Sequence, residues 1–203
     1  MVNRISGTVK WFDASKGYGF IARCDGEKDV YVNMADVKKS GLDDLKEGQY
    51  VNFELEETPK GFKAINLNTG WPAGYLEGGY FEEAEGVKRV NPAVVDDWAE
   101  AVAQMLGSGG MKTHQLRRFF NKARAIESKL DSGEPFAAVV TDIHTFKRDA
   151  AYAVGRGVAP QVFKEFVDRN VELAMRSEDS FRKGFIEHFQ SILAFFVYYF
   201  REK

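Results

Sequence analysis

The stretch Lys16-Gly17-Tyr18-Gly19-Phe20-Ile21, followed ten residues later by Val30-Tyr31-Val32-Asn33, decides how the front of this chain is read. Side chains along a strand alternate between its two faces, so Tyr18 and Phe20 share one face, and Tyr31 opposes Val30 and Val32. The valines read as core, which leaves three aromatics facing water, where burial does not account for them. A row of exposed rings on a sheet is a stacking platform for unpaired bases. Each base–aromatic stack is worth roughly 1–3 kcal/mol and tolerates any base, since every base has a π-face. Gly17 and Gly19 read as points where a nucleotide approaches the backbone closely, and Lys16 as a phosphate contact.

Upstream lies Gly7-Thr8-Val9-Lys10-Trp11-Phe12-Asp13. The order Trp-Phe, then Lys-Gly-aromatic-Gly-Phe-Ile, then Val-aromatic-Val resembles a cold-shock domain, over about residues 3–68. Downstream, Tyr50-Val51-Asn52-Phe53-Glu54-Leu55 alternates, Pro59-Lys60-Gly61 turns, and Phe62-Lys63-Ala64-Ile65 returns. The resemblance implies a five-stranded OB-like barrel that binds single-stranded RNA or DNA. It implies base stacking on Trp11, Tyr18, Phe20 and Tyr31, with Lys10, Lys16 and Lys60 beside the strand's backbone. The family usually has histidine at Asn33 and an aromatic at Met34. Asn33 still offers a hydrogen bond to a base, but two stacking surfaces are lost, which predicts weaker or shorter-footprint binding. Phe12, beside the row, is read either as part of it or as half-buried at the barrel edge. Residues 1–68 hold ten Lys/Arg and eleven Asp/Glu. Binding there rests on stacking and a few lysines rather than bulk charge, which predicts a shallow salt dependence.

The chain has 203 residues, room for two modest domains. Its net charge of −2 implies no general attraction to polyanions or membranes. The single cysteine, Cys24, forms no internal disulfide, and no Cys/His cluster has metal-ligand spacing. No metal and no cofactor is expected. No basic-then-apolar leader opens the chain, and the longest apolar run, Ile192 to Phe200, is too short to span a bilayer. A cytoplasmic protein without membrane contact is expected.

After Leu67 the composition shifts. Asn68-Thr69-Gly70-Trp71-Pro72-Ala73-Gly74 and Glu77-Gly78-Gly79 are turn formers that open the segment 69–90. It also holds four glutamates and Trp71, Tyr75, Tyr80 and Phe81. It reads as a linker with aromatic anchors that dock on a neighbouring domain or subunit, or else as a disordered tether with sticky aromatics.

From Asn91 the apolar period becomes about 3.6. Asn91 caps and Pro92 opens a helix carrying Val94, Val95, Trp98, Ala101, Val102 and Met105. Thr113 caps the next, with a stripe of Leu116, Phe119, Phe120, Ala123, Ile126 and Leu130. Three more helices are expected at about 135–154, 160–175 and 179–200. The expected architecture is all-β then all-α: residues 1–68 a barrel, 69–90 a linker, 91–203 a five-helix bundle.

The run Gly110-Met111-Lys112-Thr113-His114-Gln115-Leu116-Arg117-Arg118-Phe119-Phe120-Asn121 resembles the small helical subunit of type III-A CRISPR effector (Csm) complexes, over about 91–203. The resemblance implies antiviral defence, with subunits that stack along a guide RNA–target RNA duplex, pack on each other and on the other effector subunits, and touch the RNA backbone. The residues agree. Lys112, Gln115, Arg118 and Lys122 share one helix surface, Arg117 and Arg124 flank it, and no acid occurs between Lys112 and Ile126. Cations without paired anions suit a phosphate track, although solvated surface charges have the same pattern. Lys147, Arg148 and Arg156 extend the track; Arg169 and Arg176 interleave with Glu165 and Glu172 as intrahelical pairs. His114, His144 and His188 lie on three helices with no nucleophile or metal partner, so no catalytic residue is assigned. Phe185, Phe189, Leu193, Phe196 and Phe200 read as core, with the surplus of Tyr198 and Tyr199 packing on another subunit.

The leading reading is a non-enzymatic RNA-binding scaffold that grips a guide–target duplex with its helices and single-stranded RNA with its barrel. The runner-up is a free-standing RNA chaperone whose helices only oligomerise it. A nuclease lacks clustered carboxylates or paired histidines.

Overall fold

The computed structural model describes residues 4–200. The chain divides into two compact units, residues 1–71 and 72–203.

The first unit is a closed barrel with strand order β1-β2-β3-β5-β4: β1 Arg4–Asp13, β2 Tyr18–Arg23, β3 Val30–Asn33, β4 Tyr50–Thr58 and β5 Gly61–Asn68. A short helix, α1 Met34–Lys39, follows β3. Neighbours are antiparallel except β3 and β5, which run parallel with Tyr31 opposite Lys63. The core is built from the inward positions of each alternation: Val9, Ile21, Val30, Val32, Val51, Phe53, Ala64 and Leu67, joined by Val37 and Leu45. Phe12 is half-buried against that core, so it belongs to the barrel edge rather than to the open row.

The second unit opens with residues 72–80 and a hairpin, β6 Phe81–Ala84 and β7 Val87–Val90. Its two-residue turn has positive φ at Glu85 (54°) and Gly86 (75°), the backbone that a tight hairpin of right-handed twist requires. Then come α2 Pro92–Val95, α3 Asp97–Ser108, α4 Thr113–Asp131, α5 Phe136–Gly155 and α6 Gln161–Ala174. A π-helical segment, Ser180–Ile186, runs into α7 Glu187–Tyr199. The core is a cluster of rings, with Phe119 against Phe146 and Phe163, and Phe185 between Phe146 and Phe189.

Residues 72–80 are more than a tether. Tyr75 and Tyr80 are buried in the second unit, in a hydrogen-bond chain whose polarity is determined throughout. The Val94 carbonyl only accepts, so His188 Nδ1 carries the proton and donates to it. His188 Nε2 then accepts from the Tyr75 hydroxyl at 2.8 Å, and Tyr75 accepts from Asn170 Nδ2 at 3.1 Å. Asn170 Oδ1 accepts from the Tyr80 hydroxyl at 2.8 Å, and Nδ2 also donates to the Phe166 carbonyl. Burial outweighs the bond to Val94 and pushes the His188 pKa down to about 4. His188 is thus a neutral structural group.

This chain explains where the helices depart from expectation. The helix expected to run on from Asn91 breaks at Asp96 (φ −122°, ψ −107°). A continuous helix would commit the Val94 carbonyl to the amide four residues on; the break leaves it to His188. In the π-helical segment, a Cβ at Gly184 would run into the Tyr80 ring, so the wide turn and its glycine make the space that Tyr80 fills. The start of α4 also differs. Lys112, not Thr113, is the cap position, and its amide donates to Gln115 Oε1 at 2.9 Å.

Candidate nucleic-acid interface

The barrel brings the expected aromatics together. β1 sets Trp11 opposite Phe20, and β2 sets Phe20 opposite Tyr31. Ring centroids lie 5.3 Å apart for Trp11–Tyr18, 5.6 Å for Trp11–Phe20, 5.8 Å for Phe20–Tyr31 and 6.1 Å for Tyr18–Tyr31. Trp11 and Tyr31 are each 37% exposed, with Tyr18 and Phe20 half-buried between them. Simple alternation would put Trp11 on the inward side with Val9. The pairing shifts between Val9 and Trp11, where β1 spends one extra residue, Lys10. That bulge turns Trp11 outward onto the platform.

The cations beside the platform are partly engaged. Lys10 pairs with Asp29 at 2.8 Å and Lys16 with Asp13 at 3.3 Å. Asp13 accepts from the Ser15 hydroxyl and the Lys16 amide, which shape the β1–β2 turn and hold its pKa down at about 2. Exposed pairs of this kind are screened by solvent and weak, so an incoming phosphate competes with them. Lys60 sits exposed in the β4–β5 turn, without an acidic partner among the described residues. The sequence reading missed Lys63. In register with Tyr31, it bridges Glu56 and Asp36, which raise its pKa in that order. Its signal was the parallel β3–β5 pairing, which no local pattern reveals.

Two readings change. A Cβ at Gly19 would run into the Trp11 carbonyl and the Phe12 backbone, and Gly17 has φ +74°. Both glycines are required by strand packing and the turn, apart from any nucleotide. Asn33 accepts the Asp36 amide at 2.9 Å and caps α1. Its carbonyl is therefore occupied, and its amide N–H groups are what remain for a base.

On α4, Lys112, Arg117 and Arg118 are exposed and have no acidic partner among the described residues. Lys122 and Arg124 differ from the expected unpaired state. Lys122 pairs with Asp149 on α5, donates to Thr145 at 2.6 Å and lies 4.7 Å over the Phe146 ring. Burial opposes ionisation of Asp149, but Lys122 outweighs it and holds the carboxyl below its usual range. Arg124 pairs with Glu127. Of the expected extension, Lys147 pairs with Glu172 and Arg148 with Asp149, while Arg156 lies over the Tyr152 ring. Among the described residues, no group of three or more His, Cys, Asp or Glu gathers as a metal site would. No described helix is long and apolar enough to cross a membrane.

The cold-shock DNA-binding domain family matches residues 5–69, and the Csm2 type III-A family matches residues 89–202. The chain belongs to the Csm2 type III-A family, with a cold-shock domain fused at its front. The cold shock-like protein CspB of Yersinia pestis is 46% identical over 67 residues, 33% of this chain and 96% of the relative. CspC of Shigella flexneri is 48% identical over 64 residues, 32% of this chain and 93% of the relative. CspC of Escherichia coli K12 is 47% identical over 64 residues, with the same coverage. The description of the first of these families names DNA binding. In the barrel the row of four rings stops short of Asn33, which caps α1. The Csm2 domain leaves Arg117 and Arg118 without an acidic partner among the described residues and ties Lys122 into the α4–α5 seam.

Proposed function

We propose that this chain is a non-catalytic RNA-binding small subunit of a cytoplasmic type III-A CRISPR effector. The helical domain, residues 91–203, grips the backbone of the guide RNA–target RNA duplex through Lys112, Arg117 and Arg118. Lys122 and Arg124 contribute where phosphates displace their carboxylates. The barrel, residues 1–68, holds single-stranded RNA by stacking on Trp11, Tyr18, Phe20 and Tyr31, with Lys10, Lys16, Lys60 and Asn33 at the margin. Residues 69–90 join the two. Copies associate through the helical domain, where Tyr198 stands exposed at the end of α7.

The observation that carries this reading is the exposed pair Arg117 and Arg118 on a Csm2 helix, with no acidic partner among the described residues, in a chain that also bears an exposed row of aromatics. Phosphate contacts position a protein on a duplex without reading its sequence. Stacking holds unpaired bases with equal tolerance. The test is co-expression with the other effector subunits and guide RNA, followed by purification of the complex and protein–RNA crosslinking. The reading expects this chain in the complex, with crosslinks at both faces. Absence from a complex that otherwise assembles removes the proposal. Charge reversal at Arg117 and Arg118 separates it from a free-standing chaperone: duplex binding falls if the helices grip RNA and stays if they only oligomerise.

A further inference from the structure

A cleft of about 200 Å³ opens between the start of α4 and the end of α5. Phe119 and Ala159 form part of its apolar floor, and Arg118 and Arg156 stand at its rim. Tyr152 is 62% exposed, with the Arg156 guanidinium 5.6 Å from its ring centre. No acidic side chain lines it, and neither arginine has an acidic partner among the described residues. Gln115 has its carbonyl bound to the Lys112 amide, which leaves its side-chain N–H groups to donate into the cleft.

Pockets for drug-sized ligands run to roughly 300–1,000 Å³, so this cleft suits one planar ring rather than a larger ligand. An apolar floor with an exposed aromatic and a guanidinium plane is the surface on which unstacked bases lie. Two unpaired arginines at the rim match a group carrying phosphate on both sides. An apolar side chain from a protein partner would account for the floor and not for the two cations.

We infer that this cleft receives a single unstacked nucleobase of RNA, stacked on Tyr152, with its flanking phosphates held by Arg118 and Arg156. The inference rests on the proposed duplex grip of α4 and deepens it: the helical domain then reads a break in a duplex as well as its backbone.

The test uses the full chain carrying Tyr18→Ala, Phe20→Ala and Tyr31→Ala, so that the barrel does not compete for the unpaired base. Two RNA duplexes are compared, one fully paired and one with a single extruded 2-aminopurine. The bulged duplex is expected to bind at least about fivefold tighter, the low end of one base–aromatic stack, with its fluorescence quenched. Tyr152→Ala removes the preference and the quench and leaves affinity for the paired duplex unchanged; Tyr152→Phe retains both. Equal affinity for the two duplexes, or a preference that survives Tyr152→Ala, overturns the inference. So does a Tyr152→Ala change in sedimentation without a change in bulge preference, which assigns the cleft to a second copy of the chain. Failure of the duplex grip itself reads differently: the paired duplex then ignores Arg117→Glu.

Discussion

The barrel turns four of its large rings outward, and the helical unit turns Tyr75 and Tyr80 inward. Trp11, Tyr18, Phe20 and Tyr31 form a row with open faces and weakly paired lysines nearby. In the helical unit Tyr75 and Tyr80 are buried, and each hydroxyl has a partner in one hydrogen-bond chain through Asn170 and His188. Apolar surface left in water forgoes roughly 25 cal/mol per Å² of burial, so an open aromatic row works against stability. The proposed reason for a row kept there is a ligand that covers it. A buried tyrosine whose hydroxyl is satisfied is explained by the fold. Exposure together with hydrogen-bond state, rather than residue type, separates the aromatics proposed to bind from the structural ones here.

The comparison is broken first where the interior is most committed. Asn170→Ala removes the side chain that joins Tyr75 to Tyr80, leaves Tyr75 with its His188 bond and Tyr80 with only the backbone carbonyl of residue 170, and opens a void. Unfolding by denaturant is expected to show a loss on the order of 3–5 kcal/mol in the helical unit, with single-strand binding by the barrel retained. A loss under about 1 kcal/mol would mean that the chain of bonds is incidental.

His188 supplies a pH test of the same interior. Its folded pKa of about 4 lies below the ordinary 6.5, so the unfolded state takes up the proton first. Stability of the helical unit is therefore complete above pH 6.5 and falls as the pH drops from 6.5 towards 4, by on the order of 3 kcal/mol. His188→Gln flattens that part of the profile. A flat profile in the unsubstituted chain would show that His188 is not buried neutral.

On the outward side, Tyr18→Ala is expected to weaken binding of an unstructured RNA by about 5- to 150-fold, one stack's worth, without moving the denaturant midpoint of the helical unit. Fluorescence anisotropy measures the first and circular dichroism the second. The smallest effect belongs to Lys10→Ala, under about 1 kcal/mol, because Lys10 already pairs with Asp29. The plot of log affinity against log salt for single-stranded RNA should have a slope of magnitude about 2 or less.

Much of this contrast is legible in the chain. Val30-Tyr31-Val32 states which way Tyr31 points, and the Leu116–Leu130 stripe states which face of α4 is buried. What escaped the sequence depends on partners far along the chain. Trp11 faces out because of a bulge seen only in the pairing of β1 with β2. Lys122 looks unpaired along its own helix, and its carboxylate, Asp149, arrives on the next. The break at Asp96 has its reason in His188, 94 residues beyond the carbonyl it accommodates. Gly19 carries no local mark that distinguishes room for a neighbouring strand from room for a ligand. Local period and composition report faces and lengths; they do not report which distant group meets a face.

The most direct measurement compares two ligands across two variants of the full chain. One variant carries Tyr18→Ala, Phe20→Ala and Tyr31→Ala, the other Arg117→Glu and Arg118→Glu. The ligands are an unstructured RNA and a guide–target duplex. The account predicts that the first variant loses about 100-fold or more for the single strand and keeps the duplex, and that the second does the reverse. Undiminished single-strand affinity after removal of the three rings would contradict it.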